Sequence, residues 1–272
     1  MLDKGYISFS FDDGREDNYD IYKSILKPMN IPATFNIAAG YIDGTCPVKS
    51  IPSTTIKSMT VEQVREIYKD GLVEIALHGD KHLNTEEDIM SGEEKIRKWL
   101  FADQNKHFGF ASPGSGLNIA QYLASSSKYL KKGLLYVRTH QRYFRHAKLK
   151  IFSRKVARVT HCPQLFLYAY KDSLMDKCLN KVIYSVPVLK DTSVSEIKAL
   201  INYAVKYKLA LVLMFHSIVE DLTGHDNFSW SRDKFKELCH YISTKSKREL
   251  EIITTSDMHS ILNLGVKALE TA

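Results

Sequence analysis

The chain has 272 residues, 44% of them hydrophobic and 25% charged, with 13 Gly, 7 Pro and a net charge of +7. Such a composition excludes disordered, collagen-like and disulfide-scaffold classes, and a chain of this length buries roughly three-quarters of the surface exposed when unfolded. The longest unbroken apolar run, residues 209–215, is far short of the about 20 residues of a membrane-spanning helix, so no helical span is expected.

Residues 6–11 alternate like a strand. They lack the basic head and apolar stretch of about 7–15 residues that mark a secretory signal. If the chain starts at its native methionine, a cytoplasmic location is expected. The four cysteines, Cys46, Cys162, Cys178 and Cys239, form no CxxC pair and read as reduced thiols. A helix is expected over residues 18–29, a strand over 33–37 and a looser Gly- and Pro-containing stretch over 38–58. Thr60 opens a second helix with a capping box to Gln63, and Asp70-Gly71 ends it before a strand at 72–77. A helix near 86–101, a short strand at 108–111, a helix near 119–131 and a strand at 134–137 follow. Residues 139–180 read as an irregular basic segment with a strand near 151–159. Beyond it come a strand at 182–188, a helix from the Ser193 capping box to about 206 and a fully buried-type strand at 209–215. A helix at 232–246, a strand at 251–253 and a terminal helix capped by Ser256 complete the chain. Strand–helix alternation without repeat or linker predicts one α/β domain over residues 1–272, with parallel strands and helical crossovers, doubly wound or closed into a barrel.

Charge is unevenly distributed. From Gln104 to Lys171 there is no Asp or Glu and there are 13 Lys or Arg, so the other 204 residues carry a net −6. Arg142, Arg145, Lys148, Lys150, Arg154, Lys155 and Arg158 crowd one part of this stretch. The asymmetry points to an anionic ligand or surface, against the simpler reading of a solvated basic face. No nucleic-acid-binding module accompanies it, so no nucleic-acid partner is expected.

Four short motifs lie just beyond four strands: Phe11-Asp12-Asp13-Gly14, His78-Gly79-Asp80-Lys81-His82, Phe110-Ala111-Ser112-Pro113-Gly114 and Phe215-His216-Ser217. In a parallel barrel the carboxyl ends of the strands share one rim, where sites are built. Asp12 and Asp13 are adjacent on a strand, so their side chains diverge and different roles are expected. His78 and His82 are spaced to meet on one helical turn. Asp13, His78 and His82 together compose a three-ligand set with room for water, the makeup of a catalytic metal site. Zinc is the default ion, with Co2+, Ni2+, Fe2+ or Mn2+ also suited to mixed imidazole and carboxylate ligands. Asp12 is then free as base and His216 as acid.

In their order and spacing these motifs resemble the polysaccharide deacetylases with a NodB-homology domain, from Tyr6 to about Leu264. The resemblance implies an irregular (β/α)7 barrel that hydrolyses N-acetyl groups of amino sugars. It implies Asp12 as general base, Asp13, His78 and His82 as metal ligands, and His216 as general acid. Several positions depart from the family pattern. Ala111 stands where an Arg orients the base, and Gly114 where a Tyr amide helps bind the oxyanion. Gly79 replaces Ser or Thr, Met214 a Leu of the acetyl-methyl pocket, and Ser217 an Asp. The fourth motif has no copy. Together these mark a divergent member.

The function expected is a metal-dependent hydrolase acting on an N-acylated sugar, held on an anionic nucleotide or lipid carrier, with possible peripheral membrane contact. The alternatives are a related C–N hydrolase (sugar formamide or cyclic amide) and a non-catalytic carbohydrate-binding barrel. Pro113, Gly114, Met214 and Arg138 are the candidate substrate-binding residues, with Arg138 expected to supply the missing cation to Asp12 from the neighbouring strand.

Overall fold

Side-chain parity along the first strand organises the barrel. A computed structural model describes residues 2–47, 57–140 and 147–270. Its first strand, β1 (Gly5–Phe11), is buried at every position. Strands β2 (Ala33–Ile37), β3 (Val73–Leu77), β4 (Phe110–Ala111), β5 (Val137–His140), β6 (Val182–Pro187) and β7 (Ala210–Phe215) follow in spatial as well as chain order, all parallel. β7 closes the ring on β1 from Tyr6↔Ala210 to Phe11↔Phe215. This is the expected (β/α)7 barrel. Its closure is uneven, because β2 meets β1 only at Ser10 and Phe11. Two strands, β8 (Ser217–Val219) and β9 (Ser229–Ser231), pair beside the rim. The last strand, β10 (Leu250–Ile252), pairs with the lower half of β1.

Successive strand side chains face opposite ways. Ile7, Phe9 and Phe11 point outward, where Phe9, Phe11 and Phe215 pack around Phe235 at ring separations of 5.5–5.9 Å. Tyr6 points inward, in one cluster with Ala76, Tyr136, Ile183, Ala210 and Val212. The same inward column continues through Ser8 and Ser10 to Asp12, and that of β7 continues through Met214 to His216. Strand parity therefore delivers the candidate residues to the lumen side of one rim.

The helices, in chain order, are α1 (Glu16–Ile21), α2 (Ala39–Ile42), α3 (Val61–Asp70), α4 (Glu86–Leu100), α5 (Ile119–Ala124), α6 (Ala147–Thr160), α7 (Pro163–Tyr170), α8 (Val194–Tyr207), α9 (Arg232–Ser243) and α10 (Thr255–Glu270). Both capping boxes form, Thr60 with Gln63 and Ser193 with Glu196. Four expectations need correction. The terminal helix is capped by Thr254, whose Oγ1 accepts from the Asp257 N–H at 3.2 Å, and Ser256 lies within its first turn. The helix expected at 119–131 stops at Ala124, with a separate π-turn at Tyr129–Gly133. The strand expected at 134–137 lies at Val137–His140, which moves Arg138 into its body. The strand expected near 151–159, in a segment read as irregular, is helix α6, followed by α7. No Gly or Pro interrupts residues 147–160, and the small residues Ser153 and Ala157, four apart, are the buried positions among the described side chains of that helix.

Candidate active site

Asp12 directly follows β1, and its N–H donates to the Phe215 carbonyl at 2.9 Å, tying the ends of β1 and β7 together. Its side chain is 3% exposed. Arg138 Nη2 donates to both of its oxygens at 2.7 Å, and Asn36 Nδ2 donates to Oδ1 at 2.8 Å. Arg138 is itself buried, with Nη1 donating to Ser185 Oγ at 3.0 Å. Burial pushes the Asp12 carboxyl up, but Arg138, helped by His78 and His216, outweighs it and leaves the group below the usual carboxylate value. In register Arg138 is the partner of Ala111. A cation thus reaches Asp12 from one strand beyond the position that carries Arg in the family pattern.

Asp13 turns the other way. Its φ of +78° and that of Gly14, +73°, form a left-handed corner that is uncommon for a non-glycine residue. Asp13 Oδ1 lies 3.4 Å from Nε2 of both His78 and His82. Its Oδ2 is held by Arg15, through Nε at 3.0 Å and Nη2 at 2.9 Å. Arg15 Nη1 also donates to Ser217 Oγ at 2.8 Å and lies 3.5 Å from Asp226. One carboxylate oxygen is thereby occupied, and the other is left facing the imidazoles. Burial raises the Asp13 carboxyl, yet the two histidines and Arg15 hold it well below its usual value.

His78 and His82 do not share a helical turn, as their spacing suggested. They sit on the loop after β3, with ring centroids 4.8 Å apart and His82 at φ +61°. Asp88, in the first turn of α4, shapes this loop by accepting from the N–H groups of Asp80, Lys81 and Leu83 at 2.8–3.1 Å. A Cβ at Gly79 would stand 2.3 Å from Asp88 Oδ2, which explains why neither Ser nor Thr is found there.

His78 Nδ1 lies 2.8 Å from the Ala111 carbonyl, which can only accept, so Nδ1 carries a proton and Nε2 is the nitrogen turned to Asp13. That Nε2 is buried with no hydrogen-bond partner, opposite the Asp13 oxygen. An imidazole nitrogen facing a carboxylate oxygen calls for a positive centre between them, a proton or a metal ion. One ligand atom each from Asp13, His78 and His82 lie within 4.8 Å of one another, a donor set suited to a single divalent ion.

His216 ends the inward column of β7. Its ring lies 4.8 Å from that of Phe228, and its Nδ1 is buried without a partner. Burial lowers its pKa to about 4, with Asp13 and Asp12 opposing only in part. Asp12, Asp13, His82 and His216 open onto a cavity of about 390 Å³, walled by Tyr41, Gly114, Met214, Phe228, Arg154 and Arg158 among others. Gly114, at φ +55°, and Met214 line it. Pro113 is buried at the start of the Pro113–Ser115 turn, and Arg138 stands behind Asp12; neither is among the cavity-lining residues. Arg142 and Arg145 lie outside the described residues. The sequence reading missed Asn36 and Arg15. A polar residue inside the apolar run of β2 was the available signal for the first; the second was hidden beside the motif itself.

The polysaccharide deacetylase family model matches residues 2–130. The resemblance read from the motifs is therefore shown over that stretch, which includes Asp12, Asp13, His78 and His82. No curated protein matches the sequence. Among solved structures, a Mycobacterium smegmatis protein classed as a polysaccharide deacetylase aligns over 98% of this chain and 92% of its own at 14% identity, with a TM-score of 0.54, and shares the fold. The Xyl-CE4 domain of a multidomain xylanase from the hindgut metagenome of Trinervitermes trinervoides aligns over 94% and 90% at 13% identity, with a TM-score of 0.48. The BpsB deacetylase domain from Bordetella bronchiseptica aligns over 49% of this chain at 19% identity, with a TM-score of 0.38; the chain spans 63% of that domain's length.

Proposed function

We propose that this protein, whose residues 2–130 match the polysaccharide deacetylases, is a metal-dependent hydrolase that removes an N-acetyl group from an amino sugar. The observation that carries the reading is the partnerless His78 Nε2, oriented by Ala111 and aimed with His82 at one oxygen of Asp13. A divalent ion held by Asp13, His78 and His82, with zinc the default, supplies a Lewis acid for the acyl oxygen and makes water acidic enough to attack near neutral pH. Asp12 is the base. Its Oδ1 already accepts two hydrogen bonds and its Oδ2 one, so Oδ2 keeps a lone pair for the proton of the attacking water. Arg138 keeps that carboxylate ionised and fixed in rotation. The backbone at Gly114 is the protein-side candidate for meeting the developing oxyanion, and Met214 forms the wall beside the acyl methyl.

His216 is the acid that protonates the departing nitrogen, without which the tetrahedral species reverts. At rest burial keeps it neutral. As negative charge builds on the acyl oxygen beside it, its proton affinity rises, so it takes a proton from solvent and passes that proton to the departing nitrogen.

The substrate carries a negative charge, as a nucleotide- or lipid-linked sugar does. In support, Arg154 and Arg158, one helical turn apart on α6, line the cavity together with Arg15. A guanidinium grips phosphate oxygens through paired N–H donors. The test is to incubate metal-loaded protein with N-acetyl and N-formyl amino sugars, free and nucleotide-linked, and follow the mass. Loss of the acetyl mass supports the reading, whereas loss of only the formyl mass moves the protein to the sugar formamide hydrolases. Tight sugar binding in calorimetry with no mass loss on any substrate overturns catalysis in favour of a binding barrel. Equal rates on neutral and charged substrates, insensitive to salt, overturn the anionic substrate alone.

A further inference from the structure

Helix α6 presents chemically different faces. Ser153 and Ala157 are buried. Arg154 and Arg158 reach the catalytic cavity, and Arg158 Nε also donates to Asp191 at 2.6 Å. Elsewhere the helix is open, with Leu149 56%, Phe152 64% and Val159 82% exposed. Leu149, Phe152, Val156 and Val159 are spaced three, four and three residues apart, the spacing of an apolar stripe that a helix normally buries. Lys148 and Lys155 are exposed on the same helix, and no acidic residue occurs anywhere from Gln104 to Lys171. No helix among the described residues is long and apolar enough to cross a membrane.

We propose that α6 is an interfacial helix that seats the protein on an anionic lipid surface, its apolar stripe entering the headgroup boundary and its lysines meeting the lipid phosphates. Charge selects this occupant. A helix combining an apolar stripe with lysines and carrying no carboxylate suits a negatively charged bilayer, where both contributions act in the same direction. The placement of the helix agrees with it. The helix carries Arg154 and Arg158 on the face opposite the stripe, at the wall of the cavity, so seating the stripe brings that wall within about one helix diameter of the lipid surface. The inference builds on the lipid-linked reading above and gives it a surface. Its test involves no catalysis, so its failure leaves the hydrolase intact, and failure of the hydrolase leaves it standing.

The experiment is co-sedimentation with vesicles of phosphatidylcholine and phosphatidylglycerol in a 3:1 ratio, beside vesicles of phosphatidylcholine alone, at low and high salt. The wild type is expected to pellet with the anionic vesicles at least about tenfold more than with the neutral ones, and to be released by salt. Phe152→Ser with Val159→Ser should abolish binding. Lys148→Glu with Lys155→Glu, which leaves the apolar stripe intact, should abolish it as well. All four side chains are exposed, and an unchanged thermal melt checks that the variants fold. A wild type that stays in the supernatant with both vesicle types, or a Ser variant that binds undiminished, overturns the proposal. So does sedimentation equilibrium that shows a lipid-free dimer broken by Phe152→Ser, which would assign the stripe to a second copy of the chain.

Discussion

The barrel holds a buried polar cluster at each end, and the two are finished differently. At the amino ends of the strands, Glu74 accepts from Tyr136 OH at 3.0 Å, Thr34 Oγ1 at 2.8 Å and the Ser256 N–H at 2.9 Å. Thr34 Oγ1 in turn accepts from the Thr255 N–H, and the Thr255 hydroxyl meets that of Ser8. At the carboxyl ends, His78 Nε2, His216 Nδ1 and Arg138 Nε are buried without partners. A buried polar atom left unpaired costs about 1–3 kcal/mol, so folding alone does not favour such an arrangement. The difference separates a cluster that closes the barrel bottom from one that leaves donor and acceptor capacity for something bound. Burial or charge alone would not separate them, since both ends are buried and both are ionisable.

The sharpest way to break the comparison is at Asp12. Asp12→Asn should lower kcat by about 10³-fold, the range of a lost general base, with metal content unchanged by elemental analysis. His78→Ala should instead remove the metal. If Asp12→Asn is as active as the wild type, the upper cluster has no catalytic base. Next is Arg138→Met, which leaves the Asp12 carboxylate buried and uncompensated. It should cost about 3–5 kcal/mol in denaturant melts and lower turnover as well. Asp12→Asn combined with Arg138→Met should regain much of that stability but none of the activity. A double variant as unstable as the single one would mean that Arg138 acts by packing.

At the other end Glu74→Ala should leave three donors short of an acceptor and cost about 2–3 kcal/mol, with kcat and KM within about twofold of wild type. A collapse in kcat at full metal occupancy would erase the distinction between the ends. The smallest effect concerns His259, near Tyr136 at the bottom, whose pKa burial lowers from 6.5 to about 4. Between those values the unfolded chain binds a proton that the folded chain refuses. Stability therefore falls as pH drops from 6.5 towards 4 and is unaffected by this group above 6.5. His259→Leu should make Tm less sensitive over that interval. An equally steep fall would assign the acid sensitivity to other groups.

Much of this was legible along the chain. Alternating strand and helix periods, two capping boxes and motifs just beyond strand ends are local patterns, fixed by side-chain parity and by hydrogen bonds over three or four residues. They were enough to predict a parallel α/β chain and to single out Asp12, Asp13, His78, His82 and His216 as residues that could share a rim. The resemblance went further, to the (β/α)7 barrel and the roles. What stayed hidden was whatever depends on which surface meets which. Ser153 and Ala157 gave α6 no sequence signal of a buried seam, and its larger apolar residues, Leu149, Phe152 and Val159, read as a strand because they lie on its exposed side. Gly79 was a departure without a reason until Asp88 was found filling the space of its Cβ.

The sequence by itself determined the alternation of elements and the parity that turns Asp12 inward, because both are written in neighbouring residues. Only the tertiary structure decided that Arg138, 126 positions away, lies 2.7 Å from Asp12, that Arg15 holds the outer oxygen of Asp13, and that α6 turns its apolar stripe to solvent. Those relations arise from strand register and barrel closure, which bring together residues that no short-range pattern connects.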